Sequence, residues 1–139
     1  MAKSVSDIMT KNLKTLEPEA TLDDANQIMK DAKVRHIPIV EKATNKLLGI
    51  ISDRDVKKFL SPFIGSPREQ PQDKATLNIQ VGKIMVKTVQ TVTAEDDVKT
   101  VAEKMLQKRV ASIPVVDDAG KLVGIVSTTD LIRLLVGML

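Results

Sequence analysis

Apolar positions in this chain recur with two different periods, and the whole pattern occurs twice. Leu22, Ala25, Ile28, Met29 and Ala32 return every three or four residues, as do Val98, Val101, Ala102 and Met105. That spacing predicts two amphipathic helices whose apolar stripes face a core, with Thr21 and Asp97 as N-caps. Two short β-rich runs joined by a polar turn follow each helix, over residues 37–40 and 47–51 and again over 113–116 and 122–126. A further helix then starts after a Ser, over residues 54–60 and 129–136. Brief extended pieces at 14–16 and 90–92 precede the amphipathic helices, and Ser4-x-x-Asp7 caps a short opening turn. The predicted unit is β-α-β-β-α, an α+β arrangement present in two copies.

The copies align closely. Asp7-Ile8-Met9 matches Lys83-Ile84-Met85, and His36-Ile37-Pro38-Ile39-Val40 matches Ser112-Ile113-Pro114-Val115-Val116, both at an offset of 76. Gly49 and Asp55 match Gly124 and Asp130 at 75, so one residue is missing from the second copy's turn. Internal self-similarity of this kind marks a tandem duplication, with repeats at 1–60 and 81–139. Residues 61–80, with Pro62, Pro67, Pro71 and Gly65, read as a linker, with local packing expected from Phe63 and Ile64. Pro38 and Pro114 fall inside strand-like runs, where the missing N–H implies an edge or a break in pairing.

Composition narrows the chemistry. With 139 residues, 42% hydrophobic and 28% charged, the chain is an ordinary globule able to bury a core. Having no Cys, it has no disulfide framework and no thiolate site, and one His rules out a multi-histidine metal site within one chain. The start is polar rather than signal-like, and the apolar tail at 131–139 is too short to span a bilayer, so a cytoplasmic location without membrane attachment is expected. The net charge of +3 is dispersed, and with no Trp or Tyr there are few faces for stacking bases, which argues against nucleic acid as partner. No phosphate-loop, nucleophile-elbow or dinucleotide fingerprint is present, so no catalytic residues are assigned.

The candidate chemistry lies in Gly49-Ile50-Ile51-Ser52-Asp53-Arg54-Asp55 and Gly124-Ile125-Val126-Ser127-Thr128-Thr129-Asp130. Each is an apolar strand end breaking into a helix, with a Ser at the break and an Asp three residues on. Free N–H groups at a helix start favour an anion, the Ser hydroxyl can join them, and a carboxylate can accept from two neighbouring hydroxyls, as on a ribose. The same Ser-x-x-Asp pattern also serves simply as a helix cap. Arg35, His36 and Arg54 add phosphate donors around the first copy, where the second has Ala111, Ser112 and Thr129. Asp53 opposes an anion there.

In order and in duplicate, these pieces resemble a tandem pair of CBS (cystathionine β-synthase) domains, a Bateman module. They comprise Val5-x-x-Ile8-Met9, Pro18-x-x-Thr21-Leu22-x-x-Ala25, Ile37-Pro38-Ile39-Val40 and Leu48-Gly49-Ile50-Ile51-Ser52-x-x-Asp55. Their second-copy counterparts are Val81-x-x-Ile84-Met85, Val98-x-x-Val101, Ile113-Pro114-Val115-Val116 and Val123-Gly124-Ile125-Val126-Ser127-x-x-Asp130. The resemblance implies repeats packed through their sheets about a pseudo-twofold axis, with clefts for adenosine-containing ligands, and modules that often pair, so a homodimer is expected. It implies ribose contacts at Asp55 and Asp130, phosphate contacts at Ser52, Arg54, Arg35, His36, Ser127 and Thr129, and adenine contacts near Leu16, Ile37, Val92 and Ile113. The function it implies is regulatory: AMP, ADP or ATP as ligand, with no required cofactor, signalling to a regulated protein or an oligomer. S-adenosylmethionine is the alternative ligand, and a ligand-free interaction scaffold the alternative class.

Overall fold

The computed structural model describes residues 3–139. In chain order the elements are α1 (Val5–Ile8), α2 (Leu22–Ala32), β1 (His36–Val40), β2 (Leu47–Ser52), α3 (Asp53–Phe59), α4 (Pro71–Ala75), α5 (Val98–Lys108), β3 (Ser112–Val116), β4 (Leu122–Ser127) and α6 (Thr128–Met138). Short 3-10 turns lie at Thr76–Asn78 and Val81–Lys83. The expected α+β repeat is present in both copies.

Local chemistry sets the element ends. Thr21 and Asp97 are the N-caps of α2 and α5, accepting from the backbone N–H of Asp24 and Thr100. Both helices end on a left-handed residue, Lys33 at φ 56° and Arg109 at φ 54°, where the chain turns into the next strand. The hairpin turns also need positive φ, supplied by Asn45 in one copy and Gly120 in the other. Helices α3 and α6 begin one residue earlier than the periodicity indicates, because Ser52 and Ser127 are the caps themselves.

β1 pairs with β2 in one two-stranded sheet, and β3 pairs antiparallel with β4 in another, Ser112 opposite Ser127 and Pro114 opposite Ile125. Each sheet gains a single parallel bridge from the extended piece ahead of its helix, Leu16 to Ile39 and Val92 to Val115. The prolines explain why the pairing goes no further. Val92 N–H donates to the Pro114 carbonyl at 3.1 Å and Leu16 N–H to that of Pro38 at 3.1 Å. A strand residue turns both backbone groups to one side, so the missing proline N–H faces this same third piece and ends the ladder.

The packing units do not coincide with the sequence repeats. One unit comprises Met1–Leu13, Thr44–Leu47 and Val89–Leu139; the other comprises Lys14–Ala43 and Leu48–Thr88. In the first, Val5 is fully buried beside Val92, Val101, Met105, Ile113, Val115 and Val126, with Ile8 and Met9 packed against them. In the second, Val81 is fully buried among Leu22, Ala25, Ile37, Ile39, Ile51 and Val56, with Ile84 and Met85 alongside. Each repeat thus receives the opening segment of the other. Burial of one such Val contributes roughly 1.5–3 kcal/mol, and backbone bonds add to it: Val5 N–H to Asp96 O at 2.8 Å in one unit, Val81 N–H to Ala20 O at 2.7 Å in the other.

Residues 61–80 carry more order than their composition indicates. Ser61 Oγ donates to Asp73 Oδ1 at 2.8 Å and Ser61 N–H donates to Thr76 Oγ1 at 3.0 Å, tying α4 back to the end of α3. Phe63, expected to pack, is instead 42% exposed.

Candidate functional site

The two Ser-x-x-Asp junctions are built alike. Asp55 N–H donates to Ser52 Oγ at 3.1 Å, and Asp55 Oδ2 accepts from Ser52 N–H at 2.9 Å. At the second junction the same two bonds measure 3.3 and 2.8 Å, and Ser127 Oγ also donates to Asp130 Oδ2 at 3.1 Å. Both are therefore capping boxes. Capping alone singles out nothing, since Thr21 with Asp24 forms the same reciprocal pair.

A second contact distinguishes these junctions. The first helical N–H donates to the carbonyl three residues before the proline of the neighbouring strand run: Asp53 N–H to Arg35 O at 2.8 Å, and Thr128 N–H to Ala111 O at 2.9 Å. The backbone before each Ile-Pro is thereby held against the helix start. In the first copy this sets Arg35 and His36 beside the start of α3. Burial holds the His36 imidazole below its ordinary value; the carboxylates of Asp53 and Asp55 act the opposite way, and the Arg35 charge adds to the lowering. Arg35 and Arg54 are exposed and carry their charge in solvent. In the second copy the equivalent side chains are Ala111, Ser112 and Thr129, and Ser112 Oγ is buried without a hydrogen-bond partner among the described residues.

The apolar candidates divide. Ile37 and Ile113 are fully buried and Val92 is 2% exposed, all three being members of the two cores. Leu16 is half-buried and packs at the edge of its core. Two residues escaped the reading of the motifs. Thr10 Oγ1 and Arg133 Nη1 each donate to Asp130 Oδ1 at 3.2 Å. Their signal lay in comparing the copies, since Val86 and Lys58 occupy the matching positions.

Two α+β repeats, each ending in a strand, a capping Ser and a helix-borne Asp, define a tandem-repeat α+β module. The CBS domain family model matches residues 5–62 and 81–137, and the chain belongs to the CBS domain family. The CBS domain pair of protein MJ0100, solved in complex with 5′-methylthioadenosine and S-adenosyl-L-methionine, superposes with a TM-score of 0.83 at 30% identity, covering 100% of both chains. CBSX2 from Arabidopsis thaliana, solved in complex with AMP, superposes with a TM-score of 0.81 at 26% identity over 97% of each chain. Homoserine O-acetyltransferase of Methanococcus vannielii is 33% identical over 129 residues, which is 93% of this chain and 24% of that protein. The chain therefore spans about a quarter of that relative's length, and the residues described here form a CBS pair, a regulatory module rather than an enzyme. Among the described residues no helix is long and apolar enough to cross a membrane.

Proposed function

We propose that this CBS pair binds an adenine nucleotide at its Ser–Asp junctions and passes occupancy to a partner protein or to a second copy of the chain. The observation that carries this is the junction itself. A helix-start carboxylate and hydroxyl are held by a backbone bond against the Arg35–His36 segment, whose guanidinium and imidazole N–H suit a phosphate. Asp55 or Asp130 takes the ribose hydroxyls, while Ser52, Arg54, Arg35 and His36, or Ser127 and Thr129, meet the phosphate. Leu16, Ile37, Val92 and Ile113 define the strand edges against which the adenine lies, Leu16 having the most surface to offer.

S-adenosylmethionine is the second reading, supported by the complex of the MJ0100 domain pair with that ligand. Its sulfonium gains nothing from Arg35, so the cations favour a nucleotide. For assembly, α6 presents Ile132, Leu135 and Val136, exposed by 60, 53 and 64% and spaced on one helical face, a stripe suited to pairing two copies. Ligand then acts by binding one arrangement of the assembly better than another.

Thermal unfolding with AMP, ADP, ATP and S-adenosylmethionine in turn tests the proposal. A ligand at one hundred times its dissociation constant stabilises by about 2.7 kcal/mol. Arg35→Ala is expected to reduce the shift given by a nucleotide and to leave any shift given by S-adenosylmethionine. No shift with any of the four, in a folded sample, leaves the scaffold reading in its place.

A further inference from the structure

The two junctions share a backbone plan but differ in what their carboxylates already hold. Asp130 is 4% exposed. Its Oδ2 accepts from the N–H and hydroxyl of Ser127, and its Oδ1 from the Thr10 hydroxyl and the Arg133 guanidinium, all within 3.2 Å. An ionised carboxylate offers about four lone-pair sites, so this chain's own donors fill Asp130. Asp55 is half-buried and accepts from Ser52 N–H at 2.9 Å; among the described residues no donor reaches its Oδ1.

Two positions that the repeats do not share cause the difference. Thr10 and Val86 are structural equivalents, each bridging the Ile that follows the junction glycine, Ile125 and Ile50 respectively. Valine there has no hydroxyl to give. Arg133 and Lys58 each stand three residues after their Asp, but the Lys58 ammonium lies over the Phe59 ring, 5.6 Å from its centre, and does not reach Asp55. A vicinal diol arriving at Asp55 adds charge-assisted hydrogen bonds to an oxygen that has none. At Asp130 the same diol must displace Thr10 and Arg133, exchanging bonds with no net gain.

Resting on the reading above, we infer that the chain takes one diol-bearing nucleoside, at Asp55, and that Thr10 and Arg133 are specificity-determining residues that close Asp130 to it. The affinity difference between the two positions is about tenfold or more, the worth of one charge-assisted hydrogen bond.

Isothermal titration of the whole chain with AMP, and separately with 5′-methylthioadenosine, tests this, using 2′-deoxy-AMP to check that the diol is read. Wild type is expected to bind one molecule per chain. Asp55→Asn, which keeps an acceptor for the helix cap, removes that binding, and Asp130→Asn leaves it. Thr10→Val with Arg133→Lys opens a second site within about tenfold of the first. Val86→Thr with Lys58→Arg leaves both Asp residues in place but offers Asp55 the two donors that Asp130 has, and is expected to weaken binding by a similar factor; thermal midpoints establish that each variant is folded. Two equal sites in wild type, or loss of binding in Asp130→Asn but not Asp55→Asn, overturn the inference while leaving a nucleoside-binding module intact. A Thr10→Val, Arg133→Lys chain that still takes one molecule overturns the roles given to those residues. If neither AMP nor 5′-methylthioadenosine binds, the functional reading falls and the inference with it.

Discussion

Replacing Gly49 by Ala puts the exchanged packing of the opening segments under direct strain. A Cβ at position 49 would lie 2.7 Å from Met85 Sδ, 2.9 Å from Met85 Cγ and 2.8 Å from the Val86 carbonyl oxygen. The methionine end can swing away, but the carbonyl is backbone. It accepts Ile50 N–H at 3.0 Å while Val86 N–H donates to Ile50 O at 2.9 Å. Overpacking costs about 1–3 kcal/mol, and weakening that reciprocal pair adds about 1 kcal/mol. Reduced freedom of the unfolded chain returns about 0.4–1 kcal/mol. The net expectation is a loss of about 1–3.5 kcal/mol, or a fall in thermal midpoint of about 4–12 °C for a chain of this size. Gly124→Ala meets Met9 Sδ at 2.7 Å, but its nearest backbone atom, Thr10 O, stands at 3.2 Å, so its effect is smaller. Gly137→Ala meets nothing within 4 Å on α6 and raises the midpoint slightly. Calorimetric scans of the three variants provide the assay. A Gly49→Ala protein that unfolds at or above the wild-type temperature, or a larger loss for Gly124→Ala, would refute the seating of these segments on the glycines.

Three further outcomes are expected. Val5→Ala, by opening a void in the core that holds β3 and β4, is expected to cost about 2 kcal/mol in urea unfolding and to raise amide exchange within residues 89–139 before residues 14–88. Because the folded-state pKa of His36 lies below its unfolded value near 6.5, its contribution is fully present above that value and is lost as pH falls through the folded-state pKa. His36→Gln should flatten the urea midpoint between pH 8 and 5. Lys33→Gly and Arg109→Gly relieve left-handed backbone at two helix ends, and each is expected to gain up to about 1 kcal/mol in thermal unfolding.

The helices, hairpins and caps were legible because each rests on local signals: apolar spacing in α2 and α5, a capping Thr21 or Asp97, a polar turn between β-branched runs. Helix α4 was not, because Pro71–Ala75 has no apolar stripe and is held by Ser61, Asp73 and Thr76 instead. The exchange of opening segments was hidden for a different reason. Val5 and Val81 occupy equivalent places in nearly identical patterns, so either segment satisfies either core, and periodicity cannot say which one it enters. At the junctions, motif reading found Ser52, Asp55, Ser127 and Asp130. It missed Thr10 and Arg133 because their meaning comes from a contact across 120 residues of sequence and from a difference between copies.

The exchange also orders events during synthesis. Residues 14–88 contribute most of one unit and leave the ribosome together, so that unit can close while the chain is still growing. Val5 and Thr10 precede most of their own unit in the chain, and their backbone bonds go to Asp96 and Ile125. This segment must therefore wait, unpaired, until residues 89–127 have appeared, and closure of its long loop comes late in the folding of its unit. Until β3 and β4 emerge, Val5, Ile8 and Met9 have no core to enter, so the hydrophobic segment made first in this unit is the one that stays exposed longest.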